Sequence, residues 1–383
     1  MKIQVYSSHH TRISPSGAHR WLNCPSSVFL PHLGEEGESE AAWNGTLMHA
    51  AAAKAIIQRL RPSVMVGATF TKSNENGGWE DLPDTFTPEM AETIRPYVEY
   101  CREMASVLGD KEAFVWEVEM PLDFDFLLGK AEAVRGTADF VAWDRANGLL
   151  HIVDLKTGHW PVSPVDNPQL MLYAMGAAKA IANADPRFIT EPTRRVTFTI
   201  VQPKAGGVQS VTVDVSKELR VFFNQVMEAT DALDRAMKDP EAHVVEGLWC
   251  KFCPAAAACP AKLGNAVEFV ELMAQSPQDM GDREVARLLE LAPDVNLWIK
   301  EAKREAVKRN GVPGWRIAPP RRKRVWKDAT AAERYLAANG VKTPIPSPAQ
   351  AIKKHTVPDD LWHWEATGSQ RLVRDDSPFG DQA

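Results

Sequence analysis

The chain is short of cysteine and has no hydrophobic run long enough to cross a membrane. Five cysteines (Cys24, Cys101, Cys250, Cys253, Cys259) stand among 383 residues. No stretch of about 18 apolar residues occurs, so no membrane-spanning helix is expected. The first residues, MKIQVYSSHHTRISPSG, lack the apolar core of a signal peptide, and the expectation is a cytoplasmic protein. In such a chain five cysteines do not read as a disulfide framework. Internal repeats and long low-complexity tracts are missing too. No G-x-x-x-x-G-K-[ST] is present, so any nucleotide-driven motor would have to come from a partner. The net charge of −6 argues against a general nucleic-acid coat.

What is present is globular: 44% hydrophobic and 25% charged residues. The length suggests roughly two or three domains. Charge is unevenly spread. From Trp298 to Lys327 there are 11 Lys or Arg against only Glu301 and Glu305, a net of +9. Such a patch, centred on Arg321, Arg322, Lys323 and Arg324, can hold a phosphate backbone even on an acidic protein. It is also compatible with a plain solvated helix and turn.

GTLMHAAAAKAIIQRL (45–60) and residues 88–107 read as helices, and residues 70–85, rich in Gly, Asn and Asp, as a loop. AFVWEVEMPL, AVRGTADFVAW and LLHIVDLKTG are rich in Val, Phe, Trp and Ile and read as strands. PQLMLYAMGAAKAI (168–181) is helical in composition, RRVTFTIVQP and VQSVTVDV return to strand, and KELRVFFNQVMEATDALDRAMKD is a long amphipathic helix. The style changes near residue 264, where a domain boundary is placed. Beyond it come two helices (266–275 and 282–309), the short strand-like GWRIAPPRRKRVW, and a helix capped by Asp328 and ended before Gly340. The tail from about 368 reads as disordered.

Asp154 and Lys156 stand two residues apart at the end of an apolar strand, so both project from one face. Arg145-Ala146-Asn147-Gly148 favours a tight hairpin between strands 137–144 and 149–156. If Asp144 pairs with Leu149, Asp139 falls opposite Asp154, with Cβ atoms about 5 Å apart. Two carboxylates so close demand a proton or a cation. A divalent metal such as Mg²⁺ or Mn²⁺ suits two oxygen ligands; a surface pair with a lysine counter-ion is the plain alternative. His151 should point away from the acids. Glu119, on the preceding strand, is left open as a further member.

"GTADF" followed by "IVDLKTG" resembles the core of the PD-(D/E)XK nuclease superfamily, in its RecB-like exonuclease branch. Asp139 matches the first acid, and Asp154 and Lys156 match the D-x-K, with Ala138 in place of the family's Pro. "GTLMH" resembles the branch's upstream helix, placing a metal-ligating His at His49. "QLMLY" resembles its Q-x-x-x-Y helix, placing Gln169 and Tyr173 one turn apart. The resemblance covers roughly residues 15–262. It implies an α/β fold: a restriction-endonuclease-like core with a mixed central sheet flanked by helices (1–264), followed by a small α+β C-terminal domain (265–383). It also implies a metal held by Asp139, Asp154, His49 and the carbonyl of Leu155. Lys156 would orient water and stabilise charge, and Gln169 and Tyr173 would position the strand or tune Lys156.

"WCKFCPAAAACP" carries C-x2-C-x5-C, and Cys24 lies far upstream. C-x2-C in such a chain reads as metal binding, and four thiolates suit Zn²⁺ or a [4Fe–4S] cluster. Spacing alone does not choose. Several RecB-like nucleases carry one Cys before the core and three after it on a [4Fe–4S] cluster, which implies that cofactor on Cys24, Cys250, Cys253 and Cys259. Cys101 reads as buried packing. The expected function is metal-dependent DNA exonuclease activity. Resemblance to phage and prophage proteins suggests recombination or DNA processing, with a single-strand annealing protein or a helicase as partner and no membrane. The alternative is a weakly catalytic or non-catalytic DNA-binding subunit on a nuclease fold. Cleavage polarity, exonuclease against endonuclease, and DNA against RNA are not readable; nothing in the sequence reads a 2′-OH.

Overall fold

A computed structural model describes residues 1–6, 13–32, 40–74, 78–108, 116–125, 135–191, 193–341, 346–367 and 371–374. The chain divides into two compact units, Met1–Val267 and Glu268–Ala383. Both mix helices with sheets, so the protein is of mixed α/β class. No helix among the described residues is long and apolar enough to cross a membrane.

The first unit is built on a five-stranded sheet in the order β4-β5-β6-β7-β8. Its strands are β4 (Trp116–Asp123), β5 (Arg135–Asp144), β6 (Leu149–Leu155), β7 (Arg195–Gln202) and β8 (Gly207–Asp214). Neighbours are antiparallel except β6 and β7, which run parallel. A parallel pair needs a crossover, and helix Pro168–Ala184 lies between these two strands in the chain.

The central strands are buried on both faces, as their nearly continuous apolar sequences require. On one face Val141, Trp143, Leu150, Ile152, Phe198 and Ile200 pack against the helices Pro168–Ala184 and Arg220–Lys238. On the other, Phe140, Ala142, Val153, Leu155 and Val201 pack against helices Glu40–Ile57 and Pro88–Leu108. In chain order these helices are α1 (Glu40–Ile57), α2 (Pro88–Leu108), α3 (Pro168–Ala184) and α4 (Arg220–Lys238). The alternation of Ile152 and Val153 between two cores makes this a three-layer arrangement. Truncating Ile152 to Ala would cost about 2–5 kcal/mol. Cys101, on α2, is fully buried in the second core.

The stretch 70–85 departs from the expected loop. It holds two strands, β2 (Thr69–Ser73) and β3 (Trp79–Thr85). β2 also pairs in parallel with β1 (Lys2–Val5), Lys2 opposite Thr69. Asn74 accepts the Gly78 amide, and residues 75–77, within the stretch expected as a loop, lie outside the described residues. Phe70 is fully buried and fastens the small sheet to α1 and α2.

The second unit carries α6 (Asp282–Lys308); the preceding α5 (Pro260–Leu272) spans the division. The segment expected as one strand-like stretch forms two: β9 (Trp315–Ala318) and β10 (Arg321–Trp326). α7 (Ala329–Ala338) is capped by Asp328, whose side chain accepts the Thr330 and Ala331 amides, and Gly340 follows at φ 80°. α8 (Pro348–Lys354) leads to β11 (Trp362–Thr367), which pairs with β10, and β12 (Arg371–Arg374), which pairs with β9. β12 falls in the tail expected to be disordered. Its partner lies more than fifty residues upstream, beyond the reach of a local reading. Residues 368–370 and 375–383 lie outside the described residues.

Candidate active site

The β5–β6 hairpin sets the centre of the site. Its turn is a helical one over Arg145–Asn147, closed by Gly148 at φ 57°, a left-handed conformation that favours glycine. The Asp144 carboxylate accepts from both the backbone and the side chain of Asn147. Asp144 pairs with Leu149, and the register runs unbroken to Phe140 opposite Val153. One step further sets Asp139 against Asp154. There the ladder gives way to side-chain chemistry: the Leu155 amide donates to Asp139 Oδ2 at 2.7 Å. Leu155 is buried and aligned with Val201. His151 stands opposite Ala142, half-buried, and burial lowers its pKa.

Around this pair the structure gathers His49, Glu119, Lys156, Gln169 and Tyr173, all lining one open cleft of about 910 Å³. α1 brings His49, whose Nδ1 lies 3.2 Å from Asp139 Oδ1. α1 can come this close because Gly45 has no side chain: a Cβ there would sit 3.3 Å from Thr157 Oγ1, just past Lys156. Gly136, of "GTADF", is likewise crowded, since its Cβ would meet Pro15 Cγ at 2.8 Å. α3 brings Gln169 and Tyr173. Its N-cap, Asn167, accepts the Gln169 and Leu170 amides, and Pro168 occupies the first turn.

The polar network is continuous. Lys156 Nζ lies 2.9 Å from Asp154 Oδ2 and donates to Gln169 Oε1 at 3.0 Å. Gln169 Nε2 donates to Tyr173 Oη at 2.9 Å and, more loosely, to Asp154 Oδ1 at 3.3 Å. Gln169 thus fixes both members of the Asp154–Lys156 pair. Asp139 and Asp154 are only 7% and 2% exposed. Isolated buried carboxylates are costly, so both need cations. Asp154 Oδ2, despite its ion pair with Lys156, is buried without an aligned hydrogen bond.

Among the described residues, His49, Glu119 and Asp139 form a group whose ligand atoms all lie within 4.8 Å of one another. This departs from the expected set. Asp154 is turned toward Lys156, and Glu119, left open by the sequence, stands in the cluster. The β4–β5 register places Val118 opposite Phe140 and Met120 opposite Ala138, so Glu119 falls at Asp139. Glu119 has a φ of 52°, a conformation that costs a non-glycine residue on the order of 1–3 kcal/mol and gathers at functional sites. A fixed register and a reversed backbone, neither visible in sequence, aim it into the cleft.

These groups shift one another's proton affinities. For His49, burial opposes charge, but Asp139, with Glu119 and Asp154 beyond it, overrides burial and lifts the pKa to about 9. Burial pushes Glu119 up to about 7, with the Asp139 charge adding to it and His49 pulling back. Burial raises Asp154 against the pull of Lys156. It would raise Asp139 as well, but His49, Lys156 and the Leu155 amide outweigh it and hold that carboxyl below the usual range. Burial alone would lower Lys156; Asp154 and Asp139 reverse it. Burial drives Tyr173 well above the ordinary phenol. Clustered acids with an orphaned buried oxygen, a histidine and a cation beside them fit a divalent metal.

Cys24, Cys250, Cys253 and Cys259 line a second, small pocket of the same unit with Leu30, Trp249 and Lys262. The Val245 amide donates to Cys24 Sγ at 3.4 Å, and burial raises the Cys250 and Cys253 thiols. No three of these sulfurs lie within 4.8 Å of one another among the described residues. Arg321, Arg322, Lys323 and Arg324 lie on β10, in the second unit.

Fold and cleft together define a mixed α/β protein with a buried carboxylate–lysine pair beside a histidine and a third acid. The chain belongs to the family described as "Protein of unknown function (DUF2800)", whose model matches residues 10–355. A solved structure, described as the crystal structure of SSO0001, resembles it at a TM-score of 0.30 and 13% identity, over 67% of this chain and 88% of that one. So loose a superposition has no bearing on function.

Proposed function

We propose that the protein is a metal-dependent DNA nuclease of the PD-(D/E)XK type, acting as an exonuclease. The observation that carries this reading is the convergence in one cleft of Asp139, Asp154 and Lys156, from a single hairpin, with His49, Gln169 and Tyr173 from the flanking helices. The mixed sheet, with one parallel step joined through α3, supports the same reading.

Asp139, His49 and Glu119 would hold the cation, with the Leu155 carbonyl a further candidate and Asp154 Oδ2 able to turn to it from Lys156. A divalent metal there supplies Lewis acidity toward a phosphoryl oxygen and acidifies water. The protein's own groups do the rest. Asp154 and Gln169 hold Lys156 charged at the cleft, where its ammonium can offset negative charge gathering on phosphorus and orient the attacking water. Tyr173, kept neutral by burial, locks the Gln169 amide through the hydrogen bond it accepts.

The four cysteines lining one pocket are a donor set for a [4Fe–4S] cluster, with Zn²⁺ the alternative for four thiolates. A cluster would tie Cys24 to Cys250 across more than 200 residues, worth about 5 kcal/mol on a chain-entropy basis. Loss of visible iron–sulfur absorbance and a lower Tm in Cys253→Ser would support it; a colourless, iron-free wild type purified without oxygen removes it.

The test of function is cleavage of end-labelled linear DNA beside closed circular DNA, with Mg²⁺ or Mn²⁺. Loss of linear DNA alone supports the exonuclease reading. Binding without cleavage of either would leave a DNA-binding subunit, acting with a helicase or a single-strand annealing protein.

A further inference from the structure

The β10–β11 strand pair of the second unit carries a cluster that hydrolysis does not use. The two strands pair antiparallel, with Arg324 opposite Trp364 and Trp326 opposite Trp362. Alternation puts Arg322, Arg324, Trp362 and Trp364 on one face. Their contacts form a ladder. The Arg324 guanidinium lies 4.9 Å from the Trp362 ring centre and 4.5 Å from that of Trp364, and Arg322 lies 5.8 Å from Trp364. The two indoles meet edge to face at 6.0 Å.

Two features set this ladder apart from a solvated basic surface. First, neither Arg322 nor Arg324 has a carboxylate partner among the described residues, so their charge is held by π faces alone. Arg324 Nε and Trp362 Nε1 are buried without hydrogen-bond partners, so stacking rather than hydrogen bonding holds these groups in place. Second, Trp364 is 43% exposed, and Arg322 is exposed beside it. A large aromatic surface left open beside stacked cations is the equipment of a platform for unpaired bases, where the ring takes a base and the guanidinium a phosphate. A duplex hides its base faces within the stack and offers such a surface only phosphates. The neighbouring β9–β12 pair repeats the theme, with Trp315 opposite Arg374 and 41% exposed.

We infer that the β10–β11 face is a binding site for single-stranded DNA, with Trp364 stacking a base between the charges of Arg322 and Arg324. This goes beyond the hydrolytic reading and stands without it, because it uses no residue of the cleft.

The test is fluorescence anisotropy of the full chain, carrying Asp154→Asn and kept in EDTA, with a labelled oligothymidylate and a labelled duplex of equal length. Trp364→Ala should weaken oligothymidylate binding by about 5- to 100-fold, the worth of one stacked base, and leave the duplex within about twofold. Trp364→Phe should recover most of the loss. Arg324→Lys keeps the charge but not the planar stack, and should weaken the single strand several-fold with an unchanged salt slope. Unaltered Tm in each variant shows that the fold survives. Equal losses for both DNAs, or none in Trp364→Ala, overturn the proposal. An oligouridylate bound more than about tenfold tighter overturns its assignment to DNA. Restoring Asp154 changes cleavage only, so failure of the nuclease reading and of this one are read separately.

Discussion

The cleft of the first unit and the basic β10–β11 strand pair of the second both concentrate charge, by opposite means. In the cleft Asp139 and Asp154 are almost wholly buried, and each charge is held by named neighbours at about 3 Å. On the β10–β11 pair four consecutive cations, Arg321 to Arg324, sit on a largely exposed strand, two of them against indole rings. Buried charges interact strongly and punish a missing partner; exposed ones are screened and act by number. The cleft should therefore fail at single substitutions and tolerate salt. The strand pair should tolerate single charge changes and fail with salt.

The sharpest break of that contrast is Asp154→Asn. It removes one carboxylate of the pair and leaves Lys156 and Gln169 in place. Metal-dependent cleavage should fall by at least about a thousand-fold, with DNA binding nearly unchanged. Cleavage within tenfold of wild type would mean that Asp154 and Lys156 are a structural ion pair.

The next test uses the cleft's proton affinities. With His49 at about 9 and Glu119 at about 7, both are protonated below neutrality, and a cation must displace those protons. The affinity for Mn²⁺ should therefore rise with pH, by up to about 100-fold per unit below pH 7, where two protons leave, and about tenfold per unit from there to about 9. His49→Ala should remove the upper part of the rise. Calorimetry that finds a pH-independent affinity would take His49 and Glu119 out of the ligand set.

How far sequence reaches depends on where each constraint lives. Asn147-Gly148 sits inside the β5–β6 hairpin, so the alignment of Asp139 with Asp154 is legible locally. Glu119 is not, because its place depends on the β4–β5 register and on a reversed backbone. β2 and β3 lie in a Gly- and Asn-rich stretch and escape a local reading, since part of their support is β1, more than sixty residues earlier. β12 hides for the same reason. His49, Gln169 and Tyr173 are legible only as pieces of a resemblance; no spacing joins three segments of the chain into one cleft. The tryptophans of β11 stand far from the arginines of β10 in sequence, so a charge count finds the patch and misses the ladder.

On the β10–β11 strand pair, number should decide. Replacing Arg321, Arg322, Lys323 and Arg324 together by Gln removes as many as four phosphate contacts. The slope of log K against log salt should fall by up to about 3, at about 0.7 per contact for single strands. Metal-dependent cleavage of a saturating short substrate should hold within a few-fold. An unchanged slope would return these cations to ordinary solvated surface.

The smallest effect tests whether the cleft is limited by geometry rather than charge. Gly45→Ala adds one methyl to α1, 3.3 Å from Thr157 Oγ1, and alters no charge. Alanine favours the helix by up to about 1 kcal/mol, and the contact resists it, so Tm should move little in either direction. α1 also carries His49 one turn further on, and relieving the contact moves that ring away from Asp139 by a few tenths of an ångström. Cleavage should drop several-fold at saturating substrate, with metal affinity reduced and the salt dependence of DNA binding untouched. Full activity in Gly45→Ala would show that His49 has slack, and that the ion pair between Asp154 and Lys156, rather than the approach of α1, sets the geometry on which the cleft depends.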